Sequence, residues 1–370
     1  MTDIKGWRRI MSGGNYLPQI DGLRFIAIFL VVFYHVIKNY STNTSNLSMD
    51  WVDFILKHLD LGQKGVELFF VISGFILAVP FNKAFRTNSK IDLKKYFLRR
   101  LTRLEPPYIL IMTIMMIVYI FLKHVPVDIV IPHYFASLLY SHFLFYPNTL
   151  PLINGVAWSL EIEIQFYIIT PILANIFRIK APYRKLLIFI SILFFAILNE
   201  GYSFSYQTII NYLHYFLIGY LLSDFFLDKK NQGNYSIPSV AVILLLILVV
   251  IPFDIFFSKY ISEIIYITCI FLSYYLVIIN NKAKFFFQNS FITIVGGMCY
   301  SIYLIHLPII GIINIAFRHL GLFADSYFYL AFYFTVNFSL ILIISALYYK
   351  YIERPCMNPN WYKKFIPKKR

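Results

Sequence analysis

The amino-acid sequence predicts an all-α polytopic membrane protein, a bundle of about ten transmembrane helices. Three observations support this prediction: the composition, a series of long apolar stretches, and an asymmetric distribution of lysine and arginine. Of the 370 residues, 59% are hydrophobic and only 14% are charged, whereas about a quarter of the residues in a typical soluble domain are charged. The composition therefore excludes a soluble enzyme and also a disordered or low-complexity chain.

The candidate spans are apolar stretches close to the roughly 17 to 25 residues that a membrane-spanning helix needs. They cover residues 20–38, 65–81, 106–122, 157–177, 186–199, 207–226, 237–253, 260–280, 291–316 and 327–349. The fifth stretch is shorter than a full span. Basic residues precede the first stretch, as in a signal peptide, but no small-residue cleavage site follows His35. We therefore expect this stretch to remain as an anchor.

Lysine and arginine indicate the orientation of these helices. If the N-terminus is inside, 26 of the 33 basic residues fall in cytoplasmic segments, and the positive-inside rule then predicts that both termini are cytoplasmic. Residues 1–19 and 350–370 form short basic cytoplasmic tails in this prediction. The net charge of +15 is thus explained by topology, and a nucleic-acid partner is not predicted.

The stretch 130–146 is apolar enough to cross the membrane, but a crossing there would invert every later helix. We therefore place residues 123–156 outside and interpret 130–146 as a re-entrant or interfacial element. The longest loop has about 34 residues, too few for a soluble domain. The chain, residues 1–370, is expected to be one transmembrane domain without an appended soluble domain.

Ionisable residues inside a bilayer are costly and are functional candidates by default. Arg24 and His35 in the first helix are eleven positions apart, close to three helical turns, so both side chains lie on one face about 16 Å apart along the axis. A histidine near neutral pKa suits general-base work on a hydroxyl. For either residue alone, an interfacial role with a snorkelling arginine is the simpler interpretation.

Two further clusters flank the second span. Glu67 at its start can orient His35 as the acid of a catalytic triad does, or can merely favour a helix N-terminus. In the following basic loop, Arg99 and Arg103 are four positions apart with Arg100 beside them. Their guanidinium groups can converge on the phosphates of a nucleotide. Taken alone, a juxtamembrane basic segment that contacts anionic lipid explains them better.

The fourth span begins with two carboxylates. At about 100° per residue, Trp158 and Glu161 lie on one face and Ser159, Glu163 and Tyr167 on another, so at least one carboxylate is predicted to face the bundle interior.

Deep in the ninth span, Tyr303 and His306 are one turn apart. His306 is interpreted as a hydrogen-bonded structural group that can line a cavity together with the candidates named above. The three cysteines have no metal-site spacing, and no metal is predicted.

In order along the chain, these motifs resemble the integral-membrane acyltransferase-3 family, which includes O-antigen acetylase-like bacterial sugar and polysaccharide O-acyltransferases. The matching segments are DGLRFIAIFLVVFYH, GVELFFVISGF, RRLTRLEPPY, WSLEIEIQFY, YSIYLIH and YIERP. Each segment alone is a weak signal, but the ordered set covers nearly the whole chain.

The resemblance implies catalytic roles for Arg24, His35 and Glu163. Glu67 occupies a position where Asp is common in the family, and it is retained as a catalytic candidate. Glu161 stands where the family usually has a small residue, so no role is carried over to it.

The resemblance also implies a reaction: transfer of an acyl group, expected to be acetyl, from cytoplasmic acyl-coenzyme A to a hydroxyl of a surface polysaccharide or lipid-linked oligosaccharide at the bacterial inner membrane. Acyl-coenzyme A is then a donor substrate bound by Arg99, Arg100, Arg103 and Arg24, and no cofactor is tightly held. Trp158, Ser159, Tyr167, Tyr303 and His306 would line the acceptor cavity. His35 acts as general base or as transient acyl carrier. The alternative is a proton-coupled exporter of a glycan or lipid-linked sugar, since buried Arg, Glu and His also form proton relays.

Overall fold

The computed structural model describes residues 7, 9, 16–44, 49–202, 207–228, 238–279, 284–358 and 360–361, and every regular element within these ranges is helical. In chain order the α-helices are α1 (Pro18–Asn43), α2 (Asp50–Phe54), α3 (Leu61–Arg86), α4 (Leu93–Phe121), α5 (Val127–Leu138), α6 (His142–Phe145), α7 (Ala157–Leu173), α8 (Ala181–Gly201), α9 (Ile209–Leu227), α10 (Ser239–Val249), α11 (Lys259–Ile279), α12 (Lys284–Phe287), α13 (Ser290–Gly297), α14 (Cys299–His319), α15 (Tyr327–Tyr348) and α16 (Arg354–Cys356). Most of the predicted tail 1–19 and the last residues of 350–370 lie outside the described residues.

In the described part of the chain, nine helices are long and apolar enough to cross a membrane, which confirms the predicted fold class. They are Pro18–Asn43, Leu61–Arg86, Leu93–Phe121, Ala157–Arg178, Ala181–Gly201, Ile209–Leu227, Lys259–Ile279, Cys299–His319 and Tyr327–Cys356. The fifth candidate span, short in the sequence, becomes a helix of 21 residues.

Two candidate spans differ from their predicted form. Residues 237–253 yield only the 11-residue helix α10, about 16 Å long, because Pro238 precedes it and Pro252 prevents its extension. The stretch 291–316 divides into α13 and α14 at Met298. Two glycines, the residue type after proline least suited to a helix interior, immediately precede this break.

The stretch 130–146 folds as a short hairpin made of α5 and α6. Helix α5 has 12 residues and is about 18 Å long, too short to span a bilayer. At the tip, the Tyr140 hydroxyl donates to Glu105 at 3.0 Å, and the Tyr108 hydroxyl donates to the Ser137 carbonyl at 3.0 Å. Glu105 lies well inside the 29-residue helix α4, so these contacts fit the re-entrant form of the prediction.

Helices α1 and α3 are antiparallel, because Gly62 packs on the Tyr34 ring and Gly65 packs one turn earlier on Val31. The start of α1 and the end of α3 therefore lie at one end of the bundle, which carries Arg24 and Arg86 and is called the basic end. Arg103 of α4 lies at the same end, since it interacts electrostatically with Asp21 of α1. The other end, which carries His35 and Glu67, is called the opposite end.

Helices α3 and α9 approach so closely that their backbones touch. A methyl group on Gly74 would lie 2.1 Å from the Phe216 carbonyl oxygen, and one on Gly219 would lie 2.4 Å from the Val71 carbonyl oxygen. Only glycine fits at both positions, since real Cβ contacts do not fall below 3.0 Å. This pair fixes the spacing of the two helices in the centre of the bundle.

At the basic end, Asp224 of α9 ties three helices together. Its fully buried carboxylate accepts from Arg184 of α8 at 2.6 and 2.7 Å, from Arg86 of α3 at 2.5 Å, and from Asn82 at 3.2 Å. A carboxylate shared by two guanidinium groups leaves few unpaired charges in a poorly hydrated place. Asp224 therefore joins α3, α8 and α9 at this end.

Replacing Asp224 by Asn should destabilise the protein, because two arginines lose their shared negative charge. Hydrogen bonds to charged groups contribute roughly 1.5 to 3 kcal/mol, so a loss of that size is expected. Asp228→Asn is the matched control, since Asp228 also pairs with Arg86 and Lys185 but is partly exposed. The stability of the two variants is compared by heating each in detergent and measuring the remaining folded fraction by size-exclusion chromatography. Equal stability of the two variants would contradict this role for Asp224.

Candidate functional site

Two histidines from different helices meet toward the opposite end. The rings of His35 on α1 and His306 on α14 are 5.3 Å apart between centroids. His306 is fully buried, and its Nδ1 lies 2.8 Å from the Tyr303 carbonyl oxygen and 3.1 Å from that of Ile302. His35 is only partly buried, so it has the more accessible ring of the pair.

Tyr303 links His306 to the start of α7. Its hydroxyl lies 2.6 Å from the Ser159 hydroxyl and 2.9 Å from the Val156 carbonyl oxygen. Because a carbonyl only accepts, Tyr303 donates to Val156 and Ser159 donates to Tyr303. Trp158, the neighbour of Ser159, packs instead on Tyr212 of α9, with ring centroids 5.5 Å apart.

Glu163 lies on the inner face of α7. Its carboxylate accepts from the Ser73 hydroxyl of α3 at 2.6 Å and from the Tyr167 hydroxyl at 2.5 Å. Glu163 and Tyr167 also border a narrow pocket. Its remaining lining residues are Leu104, Tyr140, Leu160, Ile164 and Tyr300. The structure thus places Glu163 toward the bundle interior and hydrogen-bonds it to Tyr167 on the face that helical periodicity predicts.

Glu161, to which the sequence assigned no role, is also buried but faces the re-entrant hairpin. Its carboxylate accepts the backbone N–H groups of His142 at 3.0 Å and Phe143 at 3.3 Å, at the start of α6. A carboxylate at a helix N-terminus satisfies amides that have no partner within the helix. Glu161 and Glu163 therefore have different partners: Glu161 is hydrogen-bonded to the hairpin, and Glu163 is hydrogen-bonded to α3.

The three arginines of α4 lie at the basic end and are partly buried. Arg100 stacks on Tyr96, 3.8 Å from the ring centroid, and lies 5.4 Å from the Tyr167 ring. Tyr167 therefore lies between the Arg100 guanidinium and the Glu163 carboxylate. The Nε atoms of Arg99 and Arg103 are buried without a hydrogen-bond partner among the described residues. These two N–H groups therefore lack an acceptor within the described part of the chain.

Arg24 is paired within its own helix. Its guanidinium lies 2.5 Å from the Asp21 carboxylate, and both side chains are buried. Arg9 approaches the same carboxylate to 3.7 Å. Arg24 thus lies at the basic end with the α4 arginines, and along α1 it is about 16 Å from His35.

Glu67 lies at the opposite end, but its contacts are not those expected of a triad acid. Its carboxylate is 3.0 Å from the Lys64 ammonium and 3.3 Å from Gln63. Among the contacts of the described residues, none joins Glu67 to His35. Lys64 interacts electrostatically with both Glu67 and Glu263, and Glu263 lies 3.3 Å from His214, so these side chains form a second buried cluster. The three-residue spacing of Lys64 and Glu67 is the sequence signal for this pairing.

Glu353 is a candidate that the sequence reasoning did not single out. It is fully buried in the π-helical turn Tyr349–Glu353. Its carboxylate accepts from the Ser301 hydroxyl at 2.6 Å and amide at 3.1 Å, and it lies 3.9 Å from Arg103. Glu353 thus connects the start of α14 to an arginine of α4. The available signal was the motif YIERP, which contains this residue.

Comparisons with known proteins agree with the motifs. The family described as "Acyltransferase domain" matches residues 17–349. "Putative O-acetyltransferase SAR0937" of Staphylococcus aureus (strain MRSA252) is 26% identical over 99% of this chain, and "O-acetyltransferase OatA" of S. aureus (strain NCTC 8325 / PS 47) is 24% identical over 100% of it. The chain spans 62% of the length of each relative. No solved structure matches. Because the family match covers nearly the whole chain, the protein belongs to the membrane acyltransferase-3 family.

Proposed function

We propose that the protein is a membrane O-acyltransferase that moves an acyl group, expected to be acetyl, from acyl-coenzyme A to a hydroxyl of an extracytoplasmic or lipid-linked surface glycan in the bacterial inner membrane. The observation that carries the proposal is a set of polar side chains that extends from the basic end into the bundle. Arg100 approaches Tyr167, Tyr167 donates to Glu163, and the His35–His306 pair lies toward the opposite end.

The basic end is the proposed donor site and faces the cytoplasm in this proposal. Coenzyme A carries several phosphate groups, and guanidinium groups bind phosphate through charge-assisted, often bidentate hydrogen bonds. The unpartnered Nε atoms of Arg99 and Arg103 supply such donors. The acyl-pantetheine arm would then pass Arg24 and bring the thioester toward His35.

Two sequences of bond changes fit His35. As a general base, it takes the acceptor hydroxyl proton while that oxygen attacks the thioester carbonyl; the C–S bond then breaks, and the coenzyme A sulfur receives the proton from the imidazolium. As an acyl carrier, the ring nitrogen without a hydrogen attacks the carbonyl, the C–S bond breaks and coenzyme A is released as the thiolate; the acceptor oxygen then attacks the acylated imidazolium, the C–N bond breaks, and the hydroxyl proton passes to the thiolate. Both routes give an ester and free coenzyme A.

An exchange experiment separates these routes. With acyl-coenzyme A, isotopically labelled coenzyme A and no acceptor, an acyl carrier moves label into acyl-coenzyme A, whereas a general base does not. The acceptor class is tested in cells: the mass of surface glycans with and without the gene should differ by one acetyl group per modified unit. An unchanged glycan mass would contradict the proposed acceptor.

The donor site predicts that Arg99→Ala or Arg103→Ala weakens acyl-coenzyme A binding by about ten-fold or more, because each loses a charge-assisted contact worth roughly 1.5 to 3 kcal/mol. Arg99 is the cleaner test, since Arg103 also pairs with Glu353. Isothermal titration in detergent measures the affinity. Lys94→Ala and Lys95→Ala are matched controls, because they remove exposed charges from the same helix. Unchanged binding in the triple Arg99, Arg100 and Arg103 alanine variant would leave the arginines as a topology signal only.

A further inference from the structure

His306 has a single protonation pattern that fits its surroundings. Its Nδ1 faces two carbonyl oxygens, which only accept, so Nδ1 carries the hydrogen. A neutral imidazole has one N–H, so Nε2 is left as an acceptor. That Nε2 is buried and has no hydrogen-bond partner among the described residues. Buried polar atoms are rarely left unpaired, and an exception calls for an explanation.

The neighbouring ring of His35 offers an explanation for the unpaired Nε2. The two ring centroids are 5.3 Å apart, and the planes are inclined by 45°. When two imidazoles share one N–H···N hydrogen bond of about 3 Å, their centroids lie roughly 5 Å apart. The structure records no hydrogen bond between these two rings, but their centroid separation is the one that such a bond requires, so a reorientation of the His35 ring without a movement of α1 or α14 would suffice to form it.

Such a bond is what a reactive histidine needs. Either as base or as acyl carrier, His35 must present one ring nitrogen without a hydrogen, so its other nitrogen must hold the hydrogen against an acceptor. Glu67 pairs with Lys64 instead. Lys38, at the next turn of α1, has no acceptor atom. His306 Nε2 is an acceptor, unpaired within the described part of the chain, that the structure places beside the His35 ring.

We propose that His306 is the positioning residue of the transfer site: in the reactive orientation of the two rings its Nε2 accepts the N–H of His35, which fixes the tautomer and ring orientation of the reactive histidine. This inference rests on the proposed function, because it assigns His35 a chemical step. The Tyr303 hydroxyl, bonded to Ser159 and Val156, holds the same turn of α14 against α7 and so keeps His306 in place.

Two substitutions test the proposal, since each places a polar group at the position of only one of the two ring nitrogens. The amide of Gln reaches the position of Nε2, whereas that of Asn reaches only the position of Nδ1. His306→Asn should lower kcat about 10- to 100-fold, the usual effect of losing an orienting partner, with KM for acyl-coenzyme A unchanged. His306→Gln should return kcat to within a few-fold of wild type. Rates are measured per folded molecule after size-exclusion chromatography.

A double variant provides the second measurement. If the histidines act as a unit, His35→Ala combined with His306→Asn should be no slower than His35→Ala alone. Multiplying losses would overturn the proposal, and so would equal kcat in the Asn and Gln variants. Loss of folded protein with wild-type turnover in the remaining molecules would show that His306 only packs the bundle. Normal acyl transfer by His35→Ala would show that His35 has no chemical step and would overturn this inference, whereas absence of acyl transfer by the wild-type protein would defeat the proposed function itself.

Discussion

His35→Ala should lower acyl transfer per folded molecule by about 10² to 10⁴, the range expected when a general base is lost. Binding of acyl-coenzyme A should barely change, because the arginines that contact it in our proposal lie toward the other end of the bundle, about 16 Å away along α1. Transfer is measured in membranes, and donor affinity in detergent. The two measurements together separate a chemical role from a binding role.

His319→Ala is the matched control, since His319 is an exposed histidine at the end of α14. It should retain wild-type transfer. A structural His35 would behave differently from a reactive one: its removal would reduce the amount of folded protein and leave turnover per molecule intact. Near-normal transfer per folded molecule in His35→Ala would defeat the role of His35 in the mechanism, whereas absence of acyl transfer by the wild-type protein would favour the exporter hypothesis.

Glu163→Gln should abolish most transfer, at least 10²-fold, while the protein stays folded in the membrane. Gln retains the shape and one acceptor oxygen for Ser73 and Tyr167, so the packing of α7 on α3 persists. The variant removes the negative charge beside Tyr167 and Arg100. The loss should therefore appear in kcat and not in the yield of folded protein.

Glu161→Gln is the comparison that the chain offers. A neutral amide accepts less strongly from the His142 and Phe143 amides, so the hairpin should be held less firmly, with a stability loss of roughly 1 to 3 kcal/mol. Turnover per folded molecule should stay close to wild type. Equal loss of turnover in the two variants would show that the two carboxylates do not have the separate roles assigned to them.

The fold could be predicted because the bilayer imposes a strong constraint on composition. Apolar length alone located the nine helices that can cross in the described ranges, and local chemistry explains the two departures: prolines limit α10, and adjacent glycines separate α13 from α14. Periodicity also placed Glu163 and Tyr167 on one face, where they hydrogen-bond. These properties belong to short segments and can be read without tertiary contacts.

Partners from distant helices could not be predicted in this way. Glu353 meets Ser301 and Arg103 from positions 52 and 250 residues away in the chain. Glu161 meets the hairpin amides only because residues 139–156 turn back toward α7. The expectation that Glu67 orients His35 used proximity to one end of the bundle, but the structure joins Glu67 to Lys64. The local sequence indicates how deep a residue lies in the membrane. It does not indicate which side chain of another helix that residue contacts at the same depth.

The glycine contact between α3 and α9 has a consequence for the carboxylate of α7. Ser73, which donates to Glu163 at 2.6 Å, immediately precedes Gly74. An alanine at 74 would need about 1.3 Å more room, the difference between the 2.1 Å approach and an ordinary contact of 3.4 Å. A shift of that size is larger than the range over which a hydrogen bond keeps its geometry. The lack of a side chain at Gly74 and Gly219 thus keeps Ser73 within hydrogen-bond distance of Glu163.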